Sequence, residues 1–191
     1  MRVKDSLGME RTAPLFYVSP GQINFLIPAG TANGAATINV YQGDTLMGTG
    51  AQTIAATSPG LFTANGNGSG APAAILFRVY EDFSHTTENL LEFDTPNNRW
   101  VSKVVDLGKE KEEVFLVLFG TGLRFNSGLA AVTATIGGTP ATVSYAGAQG
   151  GLIGLDQVNI LIPRALIGRG EVELALNVGG LAVNPVRIRV R

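Results

Sequence analysis

Apolar and polar residues alternate along most of this chain with a period of two. In QINFLIP, Gln22–Pro28, the side chains of Ile23, Phe25 and Ile27 fall on one face. Strands have this periodicity because successive side chains point to opposite faces of a sheet. The pattern predicts a strand with a buried apolar face that ends at Pro28, since proline cannot donate a ladder hydrogen bond.

The same pattern returns late in the chain as QVNILIP, which ends at Pro163. Its apolar face holds Val158, Ile160 and Ile162. The flanking segments also correspond. RTAPLFY precedes the first copy much as TPATVSY precedes the second, and GAATINVYQGD follows the first copy as RGEVELALNVGG follows the second. We therefore expect two copies of one strand unit of roughly 80 residues, with the apolar faces buried in two separate cores.

Strand patterns also occupy most of the remaining chain, and no segment has helical periodicity over ten or more residues. Gly-Asp, Pro-Asn-Asn and Gly-Gly turn signals separate the patterns, and only Arg164–Gly168 favours a brief helical turn. The fold class we predict is all-β, with two tandem immunoglobulin-like β-sandwich units and a β-hairpin insert between them. The further strand candidates are Ala36–Tyr41, Gly50–Ala55, Ala74–Tyr80, Leu90–Asp94, Arg99–Val105, Val114–Phe119, Val132–Ile136, Ala141–Tyr145, Val172–Val178 and Val186–Val190.

The two copies differ at their starts. The second copy begins with VFLVLFGTGLR, Val114–Arg124, which has no counterpart in the first. We predict a first unit at 1–108, which lacks its N-terminal strand and includes the glycine-rich loop and the hairpin segment 73–105, and a second unit at 109–191. A sandwich without one strand exposes an edge. We expect part of Ala74–Val105 to pack against the first unit in its place, or a symmetry-related chain to donate a strand and form a homodimer.

Charge and composition exclude several classes of partner. The formal net charge of -1 gives no electrostatic reason to expect nucleic acid or an anionic membrane surface. The longest apolar run, Val114–Phe119, is far shorter than the ~20 residues of a membrane span. The absence of cysteine excludes disulfides and thiolate chemistry. The start, MRVKDSLGMER, lacks the apolar core of a signal peptide, so no export signal is visible in this sequence.

Motifs with known chemistry are weak in this sequence. The loop GNGSGA, Gly66–Ala71, fits G-x-G-x-x-A, but Pro72 and a strand pattern follow it where a dinucleotide site needs a helix. His85 is the only histidine, and the nearby acids Glu81, Asp82 and Glu88 do not have the spacing of a dedicated metal loop. No G-x-S-x-G elbow is present. We therefore predict no cofactor, no metal and no catalytic residue.

Paired side-chain amides are more informative. Gln22 and Asn24 stand two residues apart on one strand face, and Gln157 and Asn159 repeat the pair. An amide both donates and accepts, so each pair suits either a sugar hydroxyl or the backbone of a neighbouring loop. Because both copies use the pair beside different loops, a scaffold role is favoured, with Gln157 and Asn159 bonding to the loop at 146–154.

The hairpin around Trp100 is the second candidate surface. Phe93, Arg99 and Trp100 could contact a sugar or a peptide. Aromatic residues on hairpins are more often half-buried cross-strand partners, so packing is the favoured interpretation.

Four segments together resemble a known family. They are APLFYVSPGQINFLIP, SPGLFTANGNGSGAPAA, VFLVLFGTGLR and VNILIP with NVGG, and they are similar to the Solibacter-type uncharacterised C-terminal domain family. The resemblance covers nearly the whole chain and implies tandem IPT/TIG-like, immunoglobulin-like repeats in large exported bacterial proteins. It implies an extracellular or cell-surface location and a non-catalytic role, with no known ligand. The segment 78–105 is longer and more charged than the linker that the family leads us to expect.

Three functions remain open at this point. The first is a structural or interaction module, not an enzyme, that spaces, docks or presents other domains, with a protein or a cell-surface glycan as partner. The second is a carbohydrate-binding module that uses the amide pairs or the Trp100 hairpin. The third, well behind, is a hydrolase centred on His85.

Overall fold

A computed structural model describes all 191 residues, and the chain is all-β. It divides into two compact units, Met1–Ala56 and Thr57–Arg191. The only helices are three single-turn 3-10 segments, and none has the length and apolar character needed to cross a membrane. One of them, Arg164–Leu166, is the helical turn predicted after the second repeat.

The first unit contains two sheets. Four strands pair in the order β2-β1-β5-β6, and the hairpin β3-β4 forms a sheet of its own. Gly43, with a φ of +59°, makes the tight turn between the two longest strands of the unit. The bounds are β1 (Arg2–Lys4), β2 (Glu10–Thr12), β3 (Leu15–Ser19), β4 (Gln22–Phe25), β5 (Gly34–Gln42) and β6 (Thr45–Ile54).

The second unit contains two six-stranded sheets and a small hairpin. One sheet has the order β12-β20-β18-β14-β15 with β19 beside β18, and the other has the order β16-β17-β13-β8-β9 with β7 beside β13. The hairpin is β10-β11. The bounds are β7 (Gly60–Leu61), β8 (Ala74–Val79), β9 (His85–Asn89), β10 (Leu91–Asp94), β11 (Arg99–Ser102), β12 (Val104–Val105), β13 (Glu113–Thr121), β14 (Val132–Ile136), β15 (Thr139–Ala141), β16 (Val143–Ala148), β17 (Asp156–Leu161), β18 (Gly170–Val178), β19 (Leu181–Ala182) and β20 (Val186–Val190).

One hydrophobic core holds the second unit together. Leu116 of β13 and Ile160 of β17 lie opposite each other in one sheet, and both belong to the same buried cluster as Leu174 and Ile188 of the other sheet. Each of these four side chains is fully buried. Burial of an aliphatic side chain of this size stabilises the fold by about 1.5–3 kcal/mol before entropy is considered.

The sequence repeat corresponds to a repeat of strand order. The sheet β2-β1-β5-β6 of the first unit has the same arrangement as β15-β14-β18-β20 of the second. The hairpin β3-β4 corresponds in the same way to β16-β17. The two QxNxLIP segments therefore occupy equivalent strands, β4 and β17.

The predicted domain boundary at 108/109 requires correction. Ala74–Val79 forms β8, which pairs along its length with β13 in the second unit. The boundary between the two compact units along the chain therefore lies between Ala56 and Thr57. The physical reason is that β13 is apolar on both faces and central in its sheet, so it needs a strand on each edge. The expectation that this segment replaces the missing strand of the first unit is wrong, because β8 pairs with β13 of the second unit. The hairpin predicted within the segment is confirmed as β10-β11.

Burial of the repeat strands differs between the copies. Val158, Ile160 and Ile162 are buried, as expected. In the first copy Ile23 and Phe25 are only half-buried. Ile27, predicted to be buried, is 37% exposed. The two cores are separate, but the first has only three fully buried apolar side chains, those of Val3, Ala13 and Ala36.

Candidate ligand-binding site

The amide pairs bond internally in both copies. The side-chain amide of Gln157 donates from Nε2 to Oδ1 of Asn159 at 2.7 Å, and Gln22 donates to Asn24 at the same distance. Two residues on one strand face are close enough for this bond. The expected bonds from Gln157 and Asn159 to the loop at 146–154 do not form; that loop is held by Gln149, whose Oε1 accepts from two backbone N–H groups.

The prolines of the repeat lie just beyond their strands. β4 ends at Phe25 and β17 ends at Leu161, each before its proline. The carbonyl of Pro28 accepts from Thr31 Oγ1 at 2.7 Å, and Pro163 precedes the 3-10 turn. These residues shape the turns that follow the repeat strands.

The Trp100 hairpin presents two aromatic rings to solvent. Phe93 of β10 and Trp100 of β11 are directly opposite in the ladder, and their ring centroids lie 5.2 Å apart at 67°. This edge-to-face contact is the cross-strand packing that the sequence favours. The pairing does not bury the rings, because Phe93 remains 45% exposed and Trp100 remains 44% exposed.

Asn65 attaches the glycine-rich loop to this hairpin. Its Nδ2 donates to the carbonyl of Trp100 at 2.9 Å, and its Oδ1 accepts from the Trp100 N–H at 2.9 Å. The side chain thus bonds the backbone of β11 as another strand would. Sequence reasoning missed this residue, because its partner lies 35 positions away and the loop motif points to phosphate chemistry instead.

The loop itself is held on its other side by Asn184. The Asn184 Nδ2 donates to the carbonyls of Leu61 and Gly68, and its Oδ1 accepts from the Leu61 N–H. Gly66, Gly68 and Gly70 have positive φ, between +67° and +79°. No helix follows the loop; Pro72 and β8 do, so the geometry of a helix-based phosphate site is not formed.

A cleft of about 900 Å³ lies between this loop, the hairpin and the neighbouring sheet. Asn65 and Ser69 line one side, and Phe93 with Trp100 line another. The charged residues of the cleft are three acids and three arginines, namely Glu92, Asp94, Glu171, Arg99, Arg187 and Arg189.

The charges in the cleft partly neutralise each other. Arg187 lies 3.3 Å from Glu171, Arg189 lies 4.0 Å from the same carboxylate, and Arg99 lies 3.7 Å from Asp94. All three arginines are about half exposed or more. Exposed pairs of this kind add little stability to the fold.

The acidic residues near His85 do not converge on it. The His85 ring packs against Phe77 at 5.0 Å. Asp82 accepts from Ser84, and Glu81 pairs with Lys111. No group of three His, Asp or Glu side chains is placed to hold a metal ion.

Glu88, the remaining acid of that region, belongs instead to a partly buried ionic cluster around Arg78. Arg78 of β8 donates to Glu88 at 2.7 Å, to Glu112 at 3.1 Å and to the carbonyl of Asp106 at 2.7 Å. Burial disfavours the charge of the guanidinium, but the two carboxylates raise the pKa of Arg78 above its ordinary value. A sequence signal existed, because Arg78 occupies an inward position of an otherwise apolar strand.

No family model matches the chain, and neither does any curated protein or solved structure.

Proposed function

We propose that this chain is a non-catalytic interaction module of an exported or cell-surface bacterial protein, with two immunoglobulin-like units in tandem. We further propose that the Trp100 cleft binds carbohydrate. The repeated strand order of the two units and the family resemblance of the sequence support the first part. The second part rests on the composition of the cleft.

The observation that carries the carbohydrate proposal is an exposed aromatic ring, on a backbone held by hydrogen bonds, beside a polar cleft. Trp100 is 44% exposed, and Asn65 holds its backbone at both the N–H and the carbonyl. The apolar face of a sugar ring stacks on an indole, whereas its hydroxyls need neighbouring donors and acceptors. Asparagine, serine, carboxylate and guanidinium groups supply both around this ring.

The charges favour an uncharged or weakly charged glycan. Three acids and three arginines line the cleft, so its formal charge is balanced. The acids are partly engaged by arginines, as Asp94 is by Arg99 and Glu171 is by Arg187. A pair of carboxylates held in ion pairs suits hydroxyl recognition better than acid–base hydrolysis, which needs one of them protonated.

A glycan array probed with the full chain, followed by calorimetry on any hit, tests this proposal. We expect Trp100→Ala to weaken binding about tenfold or more, because stacked aromatic residues act as binding anchors. Phe125→Ala is the matched control, since Phe125 is 73% exposed and does not line the cleft. An array without hits, or equal affinity for the wild type and Trp100→Ala, contradicts the carbohydrate assignment. The proposal of a non-catalytic interaction module then stands without a glycan ligand.

A further inference from the structure

The strand β4 has one neighbouring strand, whereas its counterpart in the repeat, β17, has two. β17 lies between β16 and β13 in the second unit. β4 pairs with β3, the counterpart of β16, and with no other strand. The outer edges of β3 and β16 are free in both copies, so the two hairpins differ only at their other edge, where β17 pairs with β13 and β4 pairs with no strand.

The neighbour of β17 supplies apolar side chains as well as backbone bonds. Leu118 lies opposite Val158 in the ladder, and Leu116 lies opposite Ile160. All four of these side chains are fully buried. Their counterparts in the first copy, Ile23 and Phe25, are only half-buried and have no opposing side chain on the open edge of β4.

Backbone bonds identify which groups face the open edge. Leu26 donates its N–H to Pro14 on the β3 side, as Leu161 does to Thr142 on the β16 side. Ile162 donates in the opposite direction, to Val114 of the segment that enters β13. Because the groups of an antiparallel strand alternate in direction, the N–H and C=O groups of Ile23 and Phe25 face the edge without a strand.

We propose that the open edge of β4 is a binding site for an extended, apolar segment of another polypeptide, which adds as an antiparallel strand. Its inward positions carry aliphatic side chains, as Val114, Leu116 and Leu118 do beside β17. This chain cannot supply such a strand from its own sheets without unfolding, because its two strands of this character, β8 and β13, are both interior strands of the second unit. We therefore assign the edge to a segment of a different polypeptide, and the test below separates this occupant from a second copy that pairs through its own β4.

A peptide with the sequence of residues 112–124, EEVFLVLFGTGLR, serves as the probe. We expect the labelled peptide to bind the full chain in fluorescence anisotropy. In β13 the even-numbered residues face β17, whereas the N–H of Phe119 donates to Ala73 on the β8 side. N-methylation at Leu116 and Leu118 therefore removes donors that would face β4, and we expect it to weaken binding about tenfold or more.

The matched control peptide is N-methylated at Val117 and Phe119, whose N–H groups would point away from β4. We expect this peptide to bind like the unmodified one. Equal loss with both modified peptides, or no binding of the unmodified peptide, overturns the proposal. A concentration-dependent dimer that Ile23→Pro abolishes overturns it as well, because the occupant is then a second copy paired through β4.

The protein side is tested with Ile23→Pro, which removes one outward N–H, and with Ile23→Val, which keeps it. Proline is tolerated at a strand edge where its nitrogen faces solvent. We expect Ile23→Pro to lose peptide binding and Ile23→Val to retain it, with circular dichroism as the check on folding. If Ile23→Pro unfolds, the difference in affinity between the two N-methylated peptides tests the proposal without this variant.

Discussion

Asp5 organises the start of the first unit. Its buried carboxylate accepts hydrogen bonds from the N–H groups of Leu7, Met9 and Ala32 and from Arg11 at 2.6 Å. The bond from the Ala32 N–H lowers the pKa of Asp5 most; burial opposes this, and the bonds from Met9, Arg11 and Leu7 add to the lowering. The folded state therefore binds a proton at Asp5 less readily than the unfolded state does.

The stability of the first unit should depend on pH through Asp5. Since the folded pKa lies below the ordinary value of 3.8, the stabilisation is fully present above that pH and is lost as the pH falls through the lowered folded pKa. Asp5→Asn should lower the free energy of unfolding at pH 7 and flatten the fall of that free energy as the pH drops below 3.8. Urea unfolding at a series of pH values measures both effects.

Asp44→Asn provides the control for this prediction. Asp44 lies exposed in the turn between β5 and β6. We expect this variant to unfold at pH 7 with the stability of the wild type, because no hydrogen bond or ion pair holds this exposed carboxylate. An unchanged stability of Asp5→Asn at pH 7 would mean that the four bonds to this carboxylate contribute nothing net.

At the scale of an element, the end of β13 requires glycine. A Cβ at Gly122 would lie 2.1 Å from the carbonyl oxygen of Ser58, and the residue has a φ of +72°. This close approach lets Ser58 donate its N–H to Gly122 at 3.1 Å and leads the chain into β7. The sequence GTG around this position is thus a consequence of strand crowding.

Gly122→Ala should destabilise the second unit by more than the cost of its backbone conformation alone. That conformational cost is roughly 1–2 kcal/mol for a residue with a side chain. Gly138→Ala measures it separately, because Gly138 has a φ of +76° and open space around it. Thermal unfolding of both variants gives the comparison, and equal destabilisation would show that Ser58 moves away without cost.

At the scale of the whole molecule, the two units differ in how much apolar surface they bury. The first unit has three fully buried apolar residues, all small or medium in size, whereas the second has a continuous core between its sheets. A small unit that buries little apolar surface has a low free energy of unfolding.

Native-state hydrogen exchange should separate the units. We expect the amides of β5 and β6 to exchange with lower opening free energies than those of β13 and β17, because fewer buried contacts oppose their opening. Similar protection in both units would contradict this difference. Saturation with the peptide EEVFLVLFGTGLR should slow the amide hydrogen exchange of β4 and its neighbouring strands if the peptide pairs with the edge of β4 as proposed.

The strands and turns were largely predictable, and the partners of the strands were not. The alternation in QVNILIP identified the buried residues Val158, Ile160 and Ile162 of β17. The same alternation in QINFLIP overestimated the burial of Ile27, because alternation defines a face but does not provide the layer that covers it. Asn65 was missed for a related reason, since its role arises from a partner distant in sequence.

The sequence by itself determined that this chain forms strands in two related sets, with β4 and β17 ending before prolines. These are local properties, set by the alternation of neighbouring side chains and by the missing donor of proline. Only the tertiary structure decided that Ala74–Val79 pairs with β13 in the second unit, and that Asn65, Trp100 and Arg187 share one cleft. Strand partnership is selected by the burial of the whole core, which brings together residues that no local pattern relates.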